Sequence, residues 1–343
     1  MRTSATASSH AAAPPPAGLL ALLASGAELS GSALAAELGI TRAAVWKQIE
    51  QLRARGLPIR AEPGRGYRLD APIELLDAAR IRAEIPPELR ARVGAIDVRW
   101  QIDSTSSELA RRAEGSTLSR ACLAEIQTQG RGRRGRAWQL PLAGGIALSF
   151  LRRFDGGMAE LAGLSLVAGI AVLRAIEDCG SHGAMLKWPN DIVASGHKLG
   201  GILVELGGDA LGPCHAIVGI GLNVRMPPAQ GAMIDQPWTD LAALNGNVAP
   251  SRNRIAARVL AQLAGALDEF ATSGFAAFEH HYARYDALRD CDITVKNGGE
   301  TFAAKAIGVT SRGALKIERD GTELRIDSGE VSVRSAGENP WRF

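Results

Sequence analysis

The segment Gly130-Arg131-Gly132-Arg133-Arg134-Gly135-Arg136 places four guanidinium groups and three glycines in seven consecutive positions. Glycine lets backbone N–H groups approach a ligand closely and adopt positive φ angles. Arginine presents a planar fork that binds a carboxylate or a phosphate through two hydrogen bonds. This combination favours an anion-binding loop. A solvated basic loop or a nucleic-acid patch has the same composition, so the surrounding sequence must decide between them.

The three glycines also satisfy the GxGxxG pattern of dinucleotide-binding proteins. That pattern requires a preceding strand, a helix beginning at the third glycine and an acidic residue roughly 20 positions later. A strand is predicted at 121–127, but Pro141 prevents a helix after Gly135, and the expected acidic position falls in the apolar run 145–151. A nicotinamide-dependent oxidoreductase is therefore disfavoured. The sequence also contains no GxxxxGK[ST] motif, which excludes a P-loop.

The composition is that of a globular protein with two or three domains. Of 343 residues, 46% are hydrophobic and 22% are charged, and the formal net charge is +3. Because this charge is small, nucleic-acid binding would need a local basic patch. The four cysteines are widely spaced and form no CxxC pattern, which argues against a zinc site or a disulfide framework and favours the reducing cytoplasm. No apolar run reaches transmembrane length, so no membrane association is expected.

Residues 1–17 are interpreted as a disordered tail, and residues 18–71 are predicted to form a winged helix-turn-helix domain. A first leucine-rich helix is followed by a second, which starts after Ser30 and stops at Gly39. Thr41 can then cap a third helix. A β-hairpin with a basic, glycine-containing tip follows and forms the wing.

The third helix is predicted to contact DNA because its first turns carry side chains that bind phosphates and base edges. Together with the tip of the wing, it gives the predicted DNA-binding set, Thr41, Arg42, Lys47, Gln48 and Arg65. The buried face of this helix is predicted at Val45, Ile49 and Leu52. Trp46 can pack in the core or lie against DNA, and the core is the preferred assignment. A winged helix can instead bind protein, and that alternative stays open.

Residues 72–286 are predicted to form a central domain whose strands end at polar clusters. Helices are predicted around 75–82 and at 159–179. Ser104-Thr105-Ser106-Ser107 precedes another helix from about Glu108, and hydroxyl groups at such a position ordinarily cap the helix. The polar and charged side chains of Lys187-Trp188-Pro189-Asn190-Asp191 would cost free energy in a core unless they bind a ligand. Lys198 adds a further cation to this group, and the glycine-containing strand 216–224 carries Asn223 at its end.

Residues 287–343 are predicted to form a small β-barrel. Short alternating segments are separated there by closely spaced turn signals, Asn297-Gly298-Gly299, Arg312-Gly313 and Asp320-Gly321.

These motifs, in this order and spacing, resemble the biotin protein ligase family. The motifs are GRGRRGRAW after a strand ending in Gln127, KWPND at 187–191, HKLGGILVEL at 197–206 and GIGLNV at 219–224. With the winged helix in front, the sequence from about Leu19 to Arg334 is similar to the bifunctional bacterial ligases that also repress the biotin operon. The resemblance implies an α+β multidomain fold with a winged helix-turn-helix, a central mixed-sheet domain of the class II synthetase type and a carboxy-terminal SH3-like β-barrel.

The resemblance also implies a two-step reaction. Biotin and ATP, with Mg²⁺, would give biotinyl-5′-AMP and pyrophosphate, and a lysine of a biotin carboxyl carrier protein would then take the biotinyl group. Operator DNA and a second copy of the chain, in a ligand-promoted homodimer, are the other implied partners. Joining a carboxylate to a phosphate brings two anions together, and Arg133, Lys187 and Lys198 are suited to offset their repulsion.

The resemblance implies roles for individual residues. The positions that match biotin contacts are Ser104, Thr105, Ser106, Gln127, Gly130, Arg131, Gly132, Arg133, Lys198 and Gly201. Those that match the nucleotide side are Arg133, Arg136, Trp138, Asn190, Asn223 and Trp238. The implied catalytic residues are Arg133, Lys187, Lys198 and Asp191, and Asp191 is also the implied Mg²⁺ ligand and base. Many members of the family have asparagine where this chain has Ser106.

The same resemblance leaves two alternative functions. A transcription factor that senses biotin without ligating it is disfavoured because Arg133, Lys198 and Asp191 are all present. A lipoate or octanoate ligase is disfavoured because Gln127-Thr128-Gln129 before the arginine loop fits the biotin branch.

Overall fold

The computed structural model describes residues 17–113, 118–232, 234, 236–297, 300–327 and 332–335. The chain divides into two units, Met1–Leu75 and Leu76–Phe343. Residues 1–16 of the predicted tail lie outside the described residues, whereas Ala17 begins the first helix. The predicted domain limits at residues 71 and 286 stay predictions.

The first unit has the predicted order of helices and hairpin. Its elements are α1 (Ala17–Leu23), α2 (Gly31–Leu38), α3 (Arg42–Ala54), β1 (Ile59–Glu62) and β2 (Gly66–Leu69), and the two strands pair in antiparallel fashion. The Ser30 Oγ accepts the N–H of Ala33 at 3.0 Å, and the Thr41 Oγ1 accepts that of Ala44 at 3.1 Å. Gly39 ends α2 in the left-handed region with φ 64°. The predicted caps at Thr41 and Gly39 are therefore confirmed, and Ser30 caps α2 in the same way as Thr41 caps α3.

Two assignments on α3 are corrected by the burial of its side chains. Trp46 is 58% exposed, so its assignment to the core was wrong, whereas Gln48 is only 5% exposed and does not present its side chain to DNA. The position of each residue around the helix explains both differences. Gln48 follows Val45 by three positions and precedes Leu52 by four, so it shares the buried stripe, while Trp46 is rotated by about 100° from Val45.

The central sheet of the second unit is mixed, as predicted. Its strands are β3 (Ala95–Ile102), β4 (Arg120–Gln127), β5 (Gly145–Phe154), β6 (Ala184–Lys187), β7 (Asp191–Ala194), β8 (His197–Gly208) and β9 (Cys214–Asn223). Their order is β3-β4-β5-β9-β8-β7-β6. The β3–β4 pair is parallel and the other neighbouring pairs are antiparallel.

Helices lie on both faces of this sheet. The helices described in this unit are α4 (Ala78–Glu84), α5 (Arg90–Val93), α6 (Thr105–Ala113), α7 (Leu164–Glu177), α8 (Pro228–Gly231), α9 (Leu241–Leu244), α10 (Arg252–Ser273) and α11 (Glu279–Tyr285). The main core lies between the sheet, α7 and α10, while α6 packs on the other face through Leu109 and Ala113. No helix in these described ranges has the length and apolar character needed to cross a bilayer.

Several predicted helix limits differ from those observed. The segment predicted as one helix from 159 to 179 is a 3₁₀ turn at Met158–Leu161 followed by α7, because Gly163 has φ 83° and interrupts the helix. Helix α6 starts at Thr105 instead of near Glu108, so the polar run forms its first turn. The helix predicted from Leu75 begins at Ala78, where the Asp77 side chain accepts the N–H of Arg80 at 2.7 Å.

A buried ion pair ties α10 to the sheet. Arg252 and Glu125 are each 4% exposed as side chains and approach to 2.9 Å. Arg252 also donates to the carbonyl oxygen of Gly145 at 2.7 Å. A buried charge needs this degree of pairing, so these residues are structural.

The carboxy-terminal strands form the predicted small antiparallel domain of SH3 type. They are β10 (Asp292–Asn297), β11 (Glu300–Val309), β12 (Leu315–Arg319), β13 (Thr322–Ile326) and β14 (Ser332–Ser335), in the order β13-β12-β11-β10-β14. Their apolar residues continue the core of the central sheet. The Trp188 Nε1 donates to the carbonyl oxygen of Gly313 at 3.0 Å, which connects this domain to the KWPND segment.

Asp286, just after α11, is a buried carboxyl group whose pKa is raised to about 6 by burial. Its Oδ1 accepts the N–H of Leu288 at 2.9 Å and the hydroxyl of Tyr282 at 3.3 Å. Arg289 lowers this pKa and Asp290 raises it, both to a smaller extent than burial does. Because the folded-state pKa exceeds the ordinary value of 3.8, the stabilising contribution of Asp286 is complete below pH 3.8 and is lost as the pH rises through about 6.

We expect Asp286→Asn to flatten the pH dependence of stability. Between pH 5 and pH 8 the unmodified protein should lose roughly 1 kcal/mol relative to the variant, because ionising a buried carboxyl group opposes folding. Urea unfolding of both proteins at several pH values measures this difference. A stability difference that is independent of pH would contradict the prediction.

Candidate active site

A cavity of about 640 Å³ opens on the central domain and is lined by most of the predicted ligand-binding residues. It brings together side chains from the first turn of α6, the end of β4, the arginine loop, the β6–β7 turn and β8. The predicted residues in its lining are Ser104, Thr105, Ser106, Gln127, Arg131, Gly132, Arg133, Arg136, Trp138, Lys187, Asn190, Asp191, Lys198 and Gly201.

Three predicted residues, Gly130, Asn223 and Trp238, lie outside this lining. A Cβ at Gly130 would come within 2.3 Å of the Trp138 carbonyl oxygen and 3.0 Å of the Gln127 Nε2, so this glycine allows a close backbone approach. The Asn223 Nδ2 donates to the carbonyl oxygen of Thr239 at 3.0 Å. The Trp238 Nε1 donates to that of Gly231 at 2.9 Å. In this conformation the side chains of Asn223 and Trp238 are hydrogen-bonded to backbone carbonyl groups that also lie outside the lining.

One end of the cavity consists of uncharged polar groups in a hydrogen-bonded network. The Gln127 Oε1 accepts the backbone N–H of Thr105 at 2.8 Å and its hydroxyl at 3.1 Å. The Thr105 Oγ1 lies 2.8 Å from the Ser149 Oγ, which lies 2.9 Å from the Ser106 Oγ. Ser149 is a residue of the site that our sequence analysis missed, since only the register of β5 in the sheet brings it beneath α6.

The arginine loop is a compact turn. The N–H of Gly132 donates to the carbonyl oxygen of Arg136 at 2.7 Å, and that of Trp138 donates to the carbonyl oxygen of Gly130 at 2.9 Å. Arg134 and Gly135 adopt positive φ angles of 58° and 69°. As predicted from Pro141, no α-helix follows Gly135.

The arginines of the loop have different partners. The Arg131 Nη2 lies 3.0 Å from the Glu205 Oε1 and 3.1 Å from the Ser107 Oγ, two residues that we did not predict for the site. The Arg133 Nη1 donates to the Asn190 Oδ1 at 3.3 Å. Burial holds the pKa of Arg133 below its ordinary value, Arg134 acts in the same direction, and Asp191 opposes them. A bound anion would therefore stabilise this guanidinium group.

The other end of the cavity is cationic. The Lys198 Nζ lies 2.7 Å from the Asp191 Oδ1 and 5.6 Å from the centroid of the Trp138 ring. The β6–β7 hairpin places Lys187 opposite Asp191. The backbone N–H of Lys198 donates to the carbonyl oxygen of Pro237 at 2.9 Å, which holds the 237–239 segment beside the site. This end can neutralise a carboxylate and phosphates.

Metal binding by protein groups alone is not indicated. The described ranges contain no group of three or more His, Cys, Asp or Glu side chains arranged to hold an ion. Mg²⁺ that arrives with a nucleotide is held by phosphate oxygens, water and only one or two carboxylates. Asp191, the carboxylate among the cations, fits that limited requirement.

Comparisons with protein families match three segments of the chain. Residues 18–68 match an HTH domain, residues 100–223 match the biotin/lipoate A/B protein ligase family, and residues 292–334 match the biotin protein ligase C terminal domain.

The bifunctional ligase/repressor BirA of Salmonella typhimurium is 36% identical over 321 residues, covering 94% of this chain and 98% of that protein. The chain belongs to the family of bifunctional biotin ligase/repressors. The BirA protein of Escherichia coli is 35% identical over the same share of both chains. The present family member is thus a biotin protein ligase with an amino-terminal helix-turn-helix repressor domain, as the resemblance of its motifs predicted.

A solved structure from the same family supports the fold. The biotin protein ligase from Aquifex aeolicus in complex with biotin and ATP is 28% identical, with a TM-score of 0.60, and the similarity covers 71% of this chain and 99% of that one. The mixed sheet and the small carboxy-terminal sheet described above are consequently those of a biotin ligase fold.

Proposed function

We propose that this protein joins biotin to AMP in the cavity and then transfers the biotinyl group to a lysine of a biotin carboxyl carrier protein. The observation that carries the proposal is the polarity of the cavity. An uncharged hydrogen-bonding end, at Thr105 and Gln127, and a cationic end, at Arg133 and Lys198, line the same space of about 640 Å³. Biotin has the same polarity, with a neutral cyclic urea at one end and a carboxylate at the other.

The urea is bound at the hydroxyl-rich end by Ser104, Thr105, Ser106 and Gln127. These side chains are buried or partly buried, so few water molecules compete for the ligand's N–H and C=O groups. Backbone groups of Gly130, Gly132 and Gly201, with Arg131, complete the proposed biotin-binding set. The carboxylate then points to Lys198 and Arg133.

In the first step a biotin carboxylate oxygen attacks the α-phosphorus of ATP. The bond between that phosphorus and the bridging oxygen breaks, and pyrophosphate leaves. Arg133, Lys187 and Lys198 offset the repulsion between the two anions and the charge that develops on the phosphoryl oxygens. The proposed nucleotide contacts are Arg133, Arg136, Trp138, Asn190, Asn223 and Trp238.

We include Mg²⁺ with ATP in this proposal. Asp191 and the phosphate oxygens would hold it. When bound, it would neutralise phosphate charge at the cationic end.

In the second step the amine of the carrier lysine attacks the carbonyl carbon of the adenylate, and AMP leaves. The attacking nitrogen must lose a proton, and Asp191 is the proposed base. Lys198 is well placed to hold its carboxylate in position, since the two side chains are 2.7 Å apart.

Incubation with biotin and ATP, followed by mass spectrometry for biotinyl-5′-AMP, tests the proposed reaction. A protein that only senses biotin would bind it without forming the adenylate. A lipoate or octanoate ligase would form the acyl-adenylate of those acids instead. Either result would overturn the proposal.

The proposed DNA-binding surface comprises the exposed residues of α3 and the wing, Thr41, Arg42, Lys47 and Arg65. Trp46, exposed between Arg42 and Lys47 along α3, joins this surface as an apolar contact for thymine methyl or sugar groups. Gln48 is withdrawn from it because it is buried.

We expect repressor binding to depend on biotin and ATP. One helix and one wing make few contacts, so specific binding should need a dimer on a pseudo-palindromic site, which the adenylate promotes. Footprints on operator DNA, with and without biotin plus ATP at matched salt, measure this dependence. Identical footprints would refute the regulatory link and leave the ligase reaction untouched.

A further inference from the structure

Ser149 lies on β5, is completely buried, and contacts two of the hydroxyl groups proposed to bind biotin. We propose that Ser149 is a positioning residue, which fixes the direction of the hydrogen bonds in this network so that Thr105 and Ser106 face the ligand as acceptors. This inference rests on the proposed function, because it concerns the same biotin-binding end of the cavity.

The backbone fixes the direction of one hydrogen bond in this network. The backbone N–H of Thr105 can only donate, so the Gln127 atom 2.8 Å away must be its oxygen, Oε1. The Thr105 hydroxyl lies 3.1 Å from that same oxygen and must also donate to it. Thr105 thereby uses its single hydroxyl proton.

The donor of each remaining hydrogen bond then follows from the previous one, because each hydroxyl group has a single proton. Because Thr105 has no second proton, the hydrogen bond of 2.8 Å between Thr105 and Ser149 must have Ser149 as its donor. Ser149 has then used its own proton, so Ser106 must donate in the contact of 2.9 Å between Ser106 and Ser149. The protons therefore run in one order, from Ser106 through Ser149 and Thr105 to Gln127.

This order of protons determines which hydrogen-bond donors and acceptors face a ligand in the cavity. The protons of Thr105 and Ser106 point into the protein, and both oxygens keep lone pairs for ligand N–H groups. The Gln127 amide nitrogen, turned away from Thr105, can donate to a carbonyl group. A cyclic urea, with two N–H groups and one C=O, is complementary to this pattern, whereas an aliphatic acyl chain such as that of lipoate has no such groups.

Removing the Ser149 hydroxyl should change Ser106 from an acceptor that faces the ligand into a donor. In Ser149→Ala, the Ser106 hydroxyl has no buried acceptor. Its proton can then turn towards the ligand, where two hydrogen-bond donors, the Ser106 O–H and a ligand N–H, would face each other. We expect the Kd for biotin to rise roughly tenfold to a hundredfold. The KM for biotin should rise with it, while the KM for ATP and kcat stay close to their original values.

The matched control is Ser181→Ala. Ser181 is also completely buried, and its Oγ accepts a hydrogen bond from the Asn245 Nδ2 at 2.8 Å, but it is absent from the lining of the cavity. Ser149→Thr should restore biotin affinity to within about threefold, because it keeps the hydroxyl.

The test is isothermal titration of each full-length protein with biotin and with desthiobiotin, which retains the urea. The proposal is supported if Ser149→Ala weakens both ligands by the same large factor, if Ser181→Ala does not, and if Ser149→Thr recovers. It is overturned if Ser149→Ala binds biotin within twofold of the unmodified protein, or if the KM for ATP and the thermal stability deteriorate in step with biotin affinity.

Two further results are distinguishable from these. If the unmodified protein binds no biotin, the proposed function itself fails. If Ser149→Ala does not fold, Ser149→Cys replaces it, since the thiol is similar in size and a weaker hydrogen-bonding group. An unchanged biotin Kd in that variant would overturn the proposal.

Discussion

Replacing Lys198 with alanine should slow adenylate formation by roughly tenfold to more than a hundredfold, because a charge-assisted hydrogen bond to the reacting groups contributes about 1.5–3 kcal/mol. The ammonium group lies 2.7 Å from Asp191, and both side chains are partly exposed, so their separation should cost little stability. Pyrophosphate release with biotin and ATP measures the effect.

Two variants separate charge from packing in this experiment. Lys198→Met keeps the apolar part of the side chain near the Trp138 ring and should be impaired nearly as strongly as the alanine variant. Lys305→Ala removes an exposed lysine on β11 and should be fully active. Undiminished pyrophosphate release from Lys198→Ala would show that the assignment is wrong.

Replacing Arg133 with glycine should let the adenylate escape, with release faster by roughly tenfold to a hundredfold if one charge-assisted contact is lost. The hydroxyl-rich end of the cavity is untouched by this change, so the adenylate should still form. We expect the arginine loop to be mobile without ligand and to close over the adenylate, which protects a mixed anhydride from water and from unrelated amines. The variant should therefore biotinylate bystander proteins.

The measurement is a biotin blot of an unrelated lysine-rich protein incubated with enzyme, biotin and ATP, at matched adenylate production. Arg134→Gly is the control, because Arg134 already has φ 58° and glycine adopts that conformation without strain. It removes a neighbouring cation without disturbing the hydrogen bond between Arg133 and Asn190. If Arg133→Gly labels no more bystander than the unmodified enzyme, the loop does not retain the intermediate.

Local features of the fold could be read from the sequence because local interactions determine them. The predicted cap at Thr41 needs only a hydroxyl and an N–H three residues away. Trp46 was misassigned because its apolar character was weighed above its angular position on α3. Gln48 was misassigned because its polar character was weighed above a spacing that places it on the buried stripe.

The site was predictable to the extent that its residues lie in contiguous motifs. The arginine loop and KWPND were recognisable, and the cavity brings them together. Ser149 and Glu205 were missed because each lies on a strand among apolar neighbours and acquires its partner only from sheet register. The Arg252–Glu125 pair joins residues far apart in the chain, and no local pattern indicates it.

The hydrogen bond between Trp188 and the Gly313 carbonyl has a consequence for how the carboxy-terminal sheet can be exchanged between relatives. Gly313 has φ 79°, and a Cβ there would come within 2.8 Å of the Gly163 Cα at the start of α7. The β11–β12 turn thus forms part of the wall behind KWPND. A chimaera that receives this sheet from another ligase should keep its activity only if the donor turn also carries glycine at this position, whatever the stability of the grafted sheet itself.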